Sequence, residues 1–299
     1  MKKKLYSIIM AHFNQEKYIK DAIDSVLIQD YQNIELIIFD DCSINFKPKE
    51  IEKYIKENNK GNIKAYKVIK NAKNLGTTKS LNNALKYVNG HYVQFFAADD
   101  ALYDEKVVST FVKELDKCKG NVITAQCLMY DENLFRSYAE GINAKKALKL
   151  NSKLAIEQYK TLTLECTYGA GGTAYKTELF TKVGKFCEKY KLVEDWAYWL
   201  YITRKGEKII YSDFKALKHR EGGVSEQTYS SKKVQYQVNK DILKIYKRLI
   251  FSNFDSLSLE FKKEILETYS YYVNIIKDYN IFKYYYFKIF IKIKISELK

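Results

Sequence analysis

The sequence predicts an α/β protein in which helices flank a mostly parallel sheet, followed by a helical C-terminal extension. Two observations in the first 125 residues support this prediction. Short apolar runs alternate with segments of helical spacing, and a polar cluster follows several of the runs. A third observation concerns the region beyond about residue 230, where the pattern becomes helical, basic and rich in tyrosine.

The predicted elements follow one another in β-α order. Apolar residues at helical spacing predict helices from residue 18, over 51–58, over 81–88 and over 107–115. Repeated β-α-β order indicates parallel strands joined by right-handed crossovers. The predicted strands are the apolar runs 5–10, 36–39, 63–69, 92–96 and 122–125.

The pattern is less regular beyond residue 125. Residues 165–176 are rich in small side chains and are predicted to form a loop that lines a pocket. Residues 177–183 look helical, and 208–217 contain strand-like runs. Residues 194–201 predict a helix with carboxylates in its first turn, where they oppose the positive end of the helix dipole.

Composition and charge restrict the class of protein. The 299 residues are 46% hydrophobic, enough for a substantial core. The net charge of +15 fits nucleic acid, an anionic membrane or an anionic substrate as partner. Residues 232–299 carry 14 basic against 7 acidic side chains, so +7 of the charge lies there. Five cysteines without a CxxC pair indicate free thiols in a reducing cytoplasm. No apolar run is long enough for a classical membrane-spanning helix.

Polar clusters follow three predicted strands, at residues 12–14, 40–41 and 99–100. Ligands of parallel α/β sheets bind outside the carboxyl ends of the strands. The adjacent acids Asp99 and Asp100 are typical of a Mg²⁺ or Mn²⁺ site, because such cations combine few protein carboxylates with substrate phosphates. A helix N-cap is the alternative for this pair. Asp41 could accept hydrogen bonds from a base or ribose, or simply form an Asx-turn.

Two further positions in the second half could carry chemistry. Glu194 and Asp195 form a second acidic pair, which could supply a general base or only stabilise the start of a helix. His219 lies between a strand-like run and two glycines, a setting that suits a loop covering a ligand. A structural role is the alternative for this histidine.

The order of these clusters resembles the family 2 glycosyltransferases. The similarity covers roughly residues 1–220 and rests on residues 7–43, 74–100 and 193–200, of which the first two blocks are the more specific. The resemblance implies the GT-A fold, in which residues 1–225 form the catalytic domain. Residues 1–125 would be its nucleotide-binding half, 126–225 its acceptor half, and 226–299 a basic helical extension.

The resemblance also implies roles for individual residues. Asp195 falls at the position of the catalytic base of inverting members. Asp100, Asp99 and His219 would hold Mn²⁺ or Mg²⁺, and we expect Asp99 on the ribose side. The expected nucleotide contacts are Ala11, His12, Phe13, Asp41, Lys73, Gly76 and Asp99, and the expected acceptor contacts are Gly171, Gly172, Thr173, Glu194 and Trp196.

Three departures from the family pattern weaken any inference about the donor. Ala11-His12-Phe13 replaces Pro-Thr-Tyr, so one hydroxyl is lost while an aromatic face remains. Ala97-Ala98-Asp99 replaces Asp-x-Asp, so one acid is missing. Leu81 replaces a usual arginine.

The expected function is transfer of a sugar, with inversion, from a nucleoside-diphosphate sugar to a glycan or lipid-linked hydroxyl. A UDP-sugar is favoured, and the family implies bacterial capsule, surface polysaccharide or lipooligosaccharide synthesis. The alternatives are a catalytically inactive binding relative and a nucleotidyltransferase, although the N-terminus lacks the glycine-rich loop of the latter. Nucleic acid is not expected as a partner, since it would not explain acids at strand ends.

The basic and aromatic tail, residues 281–299, leaves two interpretations open. Contact with an anionic membrane is favoured, because polybasic and aromatic residues both bind such surfaces. Packing on the catalytic domain or a homo-oligomer contact is the alternative. We therefore expect a cytoplasmic protein that is peripheral on the inner face of the plasma membrane.

Overall fold

The computed structural model describes residues 3–222 and 231–276. The tail 281–299 therefore lies outside the described residues, and the expectation of membrane contact stays a prediction. The strands are β1 (Tyr6–His12), β2 (Ile34–Asp40), β3 (Ile63–Lys70), β4 (Tyr92–Ala97), β5 (Ala101–Leu102), β6 (Val122–Tyr130), β7 (Ser137–Glu140), β8 (Thr173–Lys176) and β9 (Ile209–Arg220).

Helices fill the connections between these strands and the region after β9. They are α1 (Ile19–Leu27), α2 (Pro48–Asn58), α3 (Thr77–Ala84), α4 (Val107–Lys117), α5 (Ala144–Asn151), α6 (Ala155–Leu162), α7 (Glu178–Lys182), α8 (Glu194–Arg204), α9 (Lys232–Ile245) and α10 (Leu259–Ile276). A 3₁₀ turn at Leu85–Tyr87 follows α3, and a π turn (Tyr246–Ile250) and a 3₁₀ turn (Phe251–Ser256) join α9 to α10.

The strands described here form one sheet in the order β3-β2-β1-β4-β8-β6-β9-β5, with β7 added beside β6. The first four strands are parallel, as the β-α-β pattern predicts. Strand β8 runs antiparallel to both β4 and β6, whereas β6 and β9 are parallel. The mixed α/β architecture confirms the predicted fold class.

The sheet is buried on both faces. Alternate residues of β1 point to opposite sides, with Ile8 and Met10 in one core and Ile9 in the other. Helices α1, α2 and α4 cover the first core. Helices α3, α6 and α8 cover the second together with α9 and α10. Continuous apolar strands are the expected consequence of a parallel sheet covered on both sides.

The C-terminal helices belong to the core of the second face. Tyr246 and Tyr269 are fully buried, and their ring centroids are 5.4 Å apart. The hydroxyl of Tyr159 in α6 donates to the carbonyl of Leu249, at 2.7 Å. Part of the high tyrosine content therefore serves packing. None of the helices in the described ranges combines the length and apolarity needed to cross a membrane.

The segment 165–176, predicted as a pocket-lining loop, is in part a strand. A Cβ atom at Gly172 would lie 2.5 Å from the carbonyl oxygen of Ala125 and 2.6 Å from the sulfur of Cys127. Thr173 is fully buried and donates to the carbonyl of Gly169. Gly172 must be small because the backbone at the start of β8 lies very close to that of β6.

We predict that Gly172→Ala destabilises the protein by about 1–3 kcal/mol, because the added methyl group meets backbone that cannot yield. Urea unfolding followed by circular dichroism measures the change. Gly120→Ala is the control, since its nearest contact would be a side-chain sulfur at 3.3 Å. Equal stability of the two variants would contradict the close approach of β8 and β6.

Candidate active site

A cleft of about 420 Å³ opens at the carboxyl edge of the parallel strands. It continues into an adjoining lobe of about 390 Å³ that shares His219, Glu194 and Asp195 with it. The three predicted strand-end clusters and the acidic pair of the second half therefore meet in one place. The residues that line the cleft are Ala11, His12, Phe13, Gln15, Phe39, Asp41, Thr77, Ser80, Ala97, Asp99, Ala170, Leu192, Glu194, Asp195, His219 and Val238.

Residues at the end of β1 form one wall of the cleft. Phe13 is 46% exposed, so a flat aromatic face is available to a ligand. The imidazole of His12 is turned into the protein, where its Nδ1 lies 2.7 Å from Asp40 and its ring packs 4.7 Å from that of Phe46. His12 thus fixes the end of the strand, and Phe13 provides the accessible surface.

Asp41 holds the loop between β3 and α3. Its carboxylate accepts hydrogen bonds from the side chain of Asn71 at 2.9 Å and from the backbone N–H groups of Leu75 and Gly76, both at 2.8 Å. Gly76 has a φ of +83°, which favours glycine. Asp41 is therefore more than an Asx-turn, and a carboxylate with three donors retains acceptor capacity for a ligand.

The Asp99–Asp100 pair lies in the turn between β4 and β5 and not at a helix start, so the N-cap alternative is wrong. Both residues are buried. The Oδ1 atom of Asp99 has no hydrogen-bond partner among the described residues. Burial, and then the neighbouring charge of Asp100, raise the pKa of Asp99 to about 6. A buried carboxylate oxygen without a partner is costly unless a ligand completes it.

Arg220 at the end of β9 holds the turn, and the sequence patterns did not identify it. Its backbone N–H donates to Asp100 at 3.1 Å, and its Nε donates to the carbonyl of Asp99 at 2.7 Å. Its Nη2 pairs with Asp21 of α1 at 2.7 Å. The side chain of Arg220 is 2% exposed and lies 4.4 Å from the ring of Tyr18. Its position directly after His219 is the signal that could have found it.

His219 approaches the same turn. Its Nδ1 lies 3.0 Å from Asp100 Oδ1 and 3.1 Å from Oδ2, and its side chain is 22% exposed. Two carboxylates and an imidazole form a donor set suited to Mn²⁺ or Mg²⁺ when phosphate oxygens are added. The orphaned Asp99 oxygen fits such an ion. Over residues 3–222 and 231–276, no three or more His, Cys, Asp or Glu side chains are placed so that they could hold a metal ion by themselves, so such an ion would depend on the added phosphate oxygens.

Glu194 and Asp195 lie in the first turn of α8, as predicted, and face the cleft. The Oδ1 atom of Asp195 accepts from the backbone N–H of Trp196 at 2.7 Å. Burial raises the pKa of Asp195. Burial, and then the Asp195 charge, raise the pKa of Glu194 to about 8. Both carboxyl groups are therefore protonated more readily than exposed ones.

Asp241 of α9 anchors the segment that leads into this pair. It is fully buried and accepts from the backbone N–H groups of Lys191 and Leu192, as well as from Gln237 and Lys244. Asp241 also contributes to the raised pKa of Glu194. Because it lies far along the sequence among lysines and tyrosines, no local pattern indicated this role.

Five predicted contacts do not line either lobe of the cleft. Lys73 and Gly76 lie in the β3–α3 loop, and Lys73 is exposed there. Thr173 belongs to β8, and the carbonyl of Gly172, directly before it, accepts from the backbone N–H of Ala125 in β6. Trp196 is buried, and its indole N–H donates to the carbonyl of Leu162. Of the glycine-rich segment, Gly171 does line the adjoining lobe.

Residues 7–183 match the Glycosyl transferase family 2, more than half of the chain. The chain belongs to this family. The matched segment of this glycosyltransferase family member ends at residue 183. The Glu194–Asp195 pair and Asp241 therefore lie outside it.

Curated relatives match over part of the chain. A glycosyltransferase of Haemophilus influenzae is 34% identical over 112 residues, which cover 36% of this chain and 33% of that protein. The poly(ribitol-phosphate) β-N-acetylglucosaminyltransferase TarS of Staphylococcus aureus is 34% identical over 113 residues, which cover 36% of this chain and 19% of TarS. The match thus spans a third or less of these relatives.

Solved structures share the fold over nearly the whole chain. S. aureus TarS 1–349 in complex with UDP has a TM-score of 0.56 at 17% identity, covering 95% of this chain and 88% of that one. The mannosyltransferase of Pyrobaculum calidifontis, in complex with GDP-Man and Mn²⁺, has a TM-score of 0.57 at 13% identity, covering 97% and 87%. At these identities the likeness supports the fold alone.

We predict that Glu194→Gln alters how the stability of this family 2 protein depends on pH. A carboxyl with a folded pKa of about 8 and an ordinary unfolded value near 4.5 binds a proton only in the folded state between these pH values. The wild type therefore loses stability as pH rises from 5 to 8, by roughly 4 kcal/mol at about 1.4 kcal/mol per pH unit, and the variant does not. Urea unfolding at pH 5 and pH 9 measures the difference.

The exposed carboxylate of Glu178 supplies the control for this measurement. Glu178→Gln should leave the stability difference between the two pH values as it is in the wild type. If Glu194→Gln and Glu178→Gln behave alike, Glu194 does not hold its proton in the folded protein.

Proposed function

We propose that this protein transfers a sugar from a nucleoside-diphosphate sugar to a hydroxyl group, with inversion at the anomeric carbon. The observation that carries the proposal is the position of the Glu194–Asp195 carboxylates in the same cleft as Asp99 and the exposed ring of Phe13. The cleft thus joins a candidate base to a surface suited to a nucleotide.

The donor would be held at the strand ends. A base can stack on Phe13 and donate to the remaining acceptor capacity of Asp41. The ribose would lie near Asp99. A UDP-sugar is the favoured donor, and the UDP and UDP-GlcNAc complexes of TarS support this choice. The mannosyltransferase, by contrast, is in complex with GDP-Man.

The reaction exchanges one C–O bond for another. The acceptor hydroxyl loses its proton to the carboxylate of Asp195 while its oxygen attacks the anomeric carbon. The bond from that carbon to the phosphate oxygen breaks on the opposite side, and the nucleoside diphosphate leaves with the bonding electrons. The hydrogen bond from Trp196 N–H orients the Asp195 carboxylate, and its raised pKa makes it a better proton acceptor.

Mn²⁺ or Mg²⁺ would be held by Asp100, Asp99 and His219. When bound to the diphosphate, such an ion offsets the negative charge of the leaving group. Arg220 keeps Asp99 and Asp100 in place through its hydrogen bonds to both residues. The Mn²⁺ complex of the mannosyltransferase is consistent with this cofactor.

The acceptor would be a glycan or a lipid-linked chain of the bacterial surface. TarS is named for poly(ribitol phosphate), and a further relative, 29% identical over 191 residues, is the minor teichoic acid biosynthesis protein GgaB of Bacillus subtilis. We propose a role in synthesis of such a surface polymer, at the inner face of the plasma membrane.

A catalytically inactive, sugar-nucleotide-binding protein is the second candidate. Ala97 stands where the family pattern has an acid, which is the observation that favours it. Hydrolysis of a UDP-sugar with added Mn²⁺ separates the two, because an inactive relative would bind the donor without cleaving it.

We predict that Asp195→Asn lowers kcat by about 10²- to 10⁴-fold, because the acceptor proton then has no base. Donor affinity, measured by isothermal titration of UDP with Mn²⁺, should change little. The isosteric Glu194→Gln is the matched control and should retain much of the rate. A parallel loss of donor affinity and rate in Asp195→Asn would contradict the base assignment.

We predict that Asp100→Asn weakens Mn²⁺ binding about tenfold or more in the presence of UDP, because one anionic ligand is lost. Titration of the free Mn²⁺ signal by electron paramagnetic resonance measures this without any turnover. Asp41→Asn is the comparison and should weaken UDP binding with or without the ion. Unchanged Mn²⁺ affinity in Asp100→Asn would contradict the proposed ligand set.

A further inference from the structure

A second cavity, of about 370 Å³, lies beside α8 on the side of the C-terminal helices. We call it the tyrosine groove. Its floor contains Tyr190, Tyr198 and the partly exposed Tyr201. The cavity is lined by Val183, Gly184, Lys185, Cys187, Lys189, Tyr190, Ala197, Tyr198, Tyr201, Arg248 and Leu249.

Three exposed cations surround the tyrosine groove: Lys185, Lys189 and Arg248. No ion pair within the described part of the chain uses any of them. The nearby acid Glu188 does not line the groove and accepts a hydrogen bond from Asn82. The groove therefore presents positive charge around an aromatic floor.

Helix α8 connects the tyrosine groove to the active-site cleft. Glu194, Ala197, Tyr198 and Tyr201 follow the spacing i, i+3, i+4, i+7, which places them on one stripe of the helix. Glu194 lines the cleft, and the other three line the groove. At 1.5 Å per residue, Tyr201 lies ~9 Å along the axis from Asp195, a distance that about two sugar units span.

The segment before α8 makes the same connection. Leu192 lines the cleft, and Lys185, Lys189 and Tyr190 line the tyrosine groove. Lys244 donates both to the carbonyl of Lys189 and to Asp241. Asp241, which anchors the segment before Glu194, is therefore linked to the side of the tyrosine groove that contains Lys189. Two adjacent elements thus lead from the candidate base to the groove.

We propose that the tyrosine groove binds the acceptor chain, and that this chain is a polyol or sugar polymer joined by phosphodiesters. Polyol or sugar units would lie against the partly exposed ring of Tyr201, because Tyr190 and Tyr198 are buried beneath the groove. The phosphates would contact the two lysines and the guanidinium, whose planar fork matches phosphate oxygens. This inference rests on the proposed function, because it orients the bound chain toward Asp195.

The test uses the full chain and an oligomer of about six glycerol phosphate units, with binding measured by isothermal titration. The variant combines Lys185→Glu, Lys189→Glu and Arg248→Glu and should weaken binding about 10- to 100-fold, as three exposed contacts are reversed. The control combines Lys49→Glu, Lys56→Glu and Lys60→Glu, which lie on and beside α2. It changes the net charge by the same amount as the groove variant and should leave binding within about twofold of the wild type.

Two further ligands decide the chemistry of the occupant. A neutral glucose oligomer of equal length and an oligogalacturonate, which carries carboxylates, should each bind at least about tenfold more weakly than the phosphodiester chain. Equal binding of the oligogalacturonate, or equal losses in the groove variant and the α2 control, would overturn the proposal.

Cleavage of the donor onto water separates this proposal from the proposed function. The groove variant should retain the wild-type rate of UDP-sugar hydrolysis, because none of its three residues lines the cleft. A wild-type protein that binds the phosphodiester chain but hydrolyses no donor would contradict the proposed function and leave the groove assignment standing.

Discussion

The site depends on one constraint, the parallel pairing of β1 with both β2 and β4. This register sets Ala11 beside Phe39 and beside Ala97, and His12 beside Asp40. Every residue that follows these three strands therefore emerges at one edge, although the strands are separated by tens of residues. A shift of one residue in this register would turn core side chains outward, so burial on both faces fixes the register and with it the site.

The carboxylates in and beside the cleft are costly to bury, and the protein offsets this cost with donors around them. Asp41 receives three hydrogen bonds from one loop, Asp100 receives the N–H of Arg220, and Asp241 receives two backbone N–H groups. The exceptions are Asp99 Oδ1 and Glu194 Oε2, which have no partner among the described residues. Both atoms lie in residues that line the cleft, where a ligand would complete them.

The sequence predicted the secondary structure of residues 1–125 well, because the spacing of apolar residues within each strand and helix there is regular. The carboxyl-end rule then placed Phe13, Asp41 and Asp99 together without any knowledge of distances. The prediction that residues 165–176 line a pocket failed for Gly172 and Thr173. Small residues suit both a pocket lining and close strand packing, and only the approach of this segment to Ala125 distinguishes the two. The roles of Arg220 and Asp241 depend on contacts between distant elements, which no local pattern encodes.

The anchor at Asp241 has a consequence for dynamics. Helix α9 contributes Val238 to the cleft and Asp241 to the segment before Glu194. Helices open locally with free energies below that of global unfolding. Each opening of α9 would release the backbone at Lys191 and Leu192 while leaving the parallel sheet intact. The local stability of a C-terminal helix therefore contributes to the population of molecules in which the proposed base is ordered, and substitutions far from the cleft would change that population.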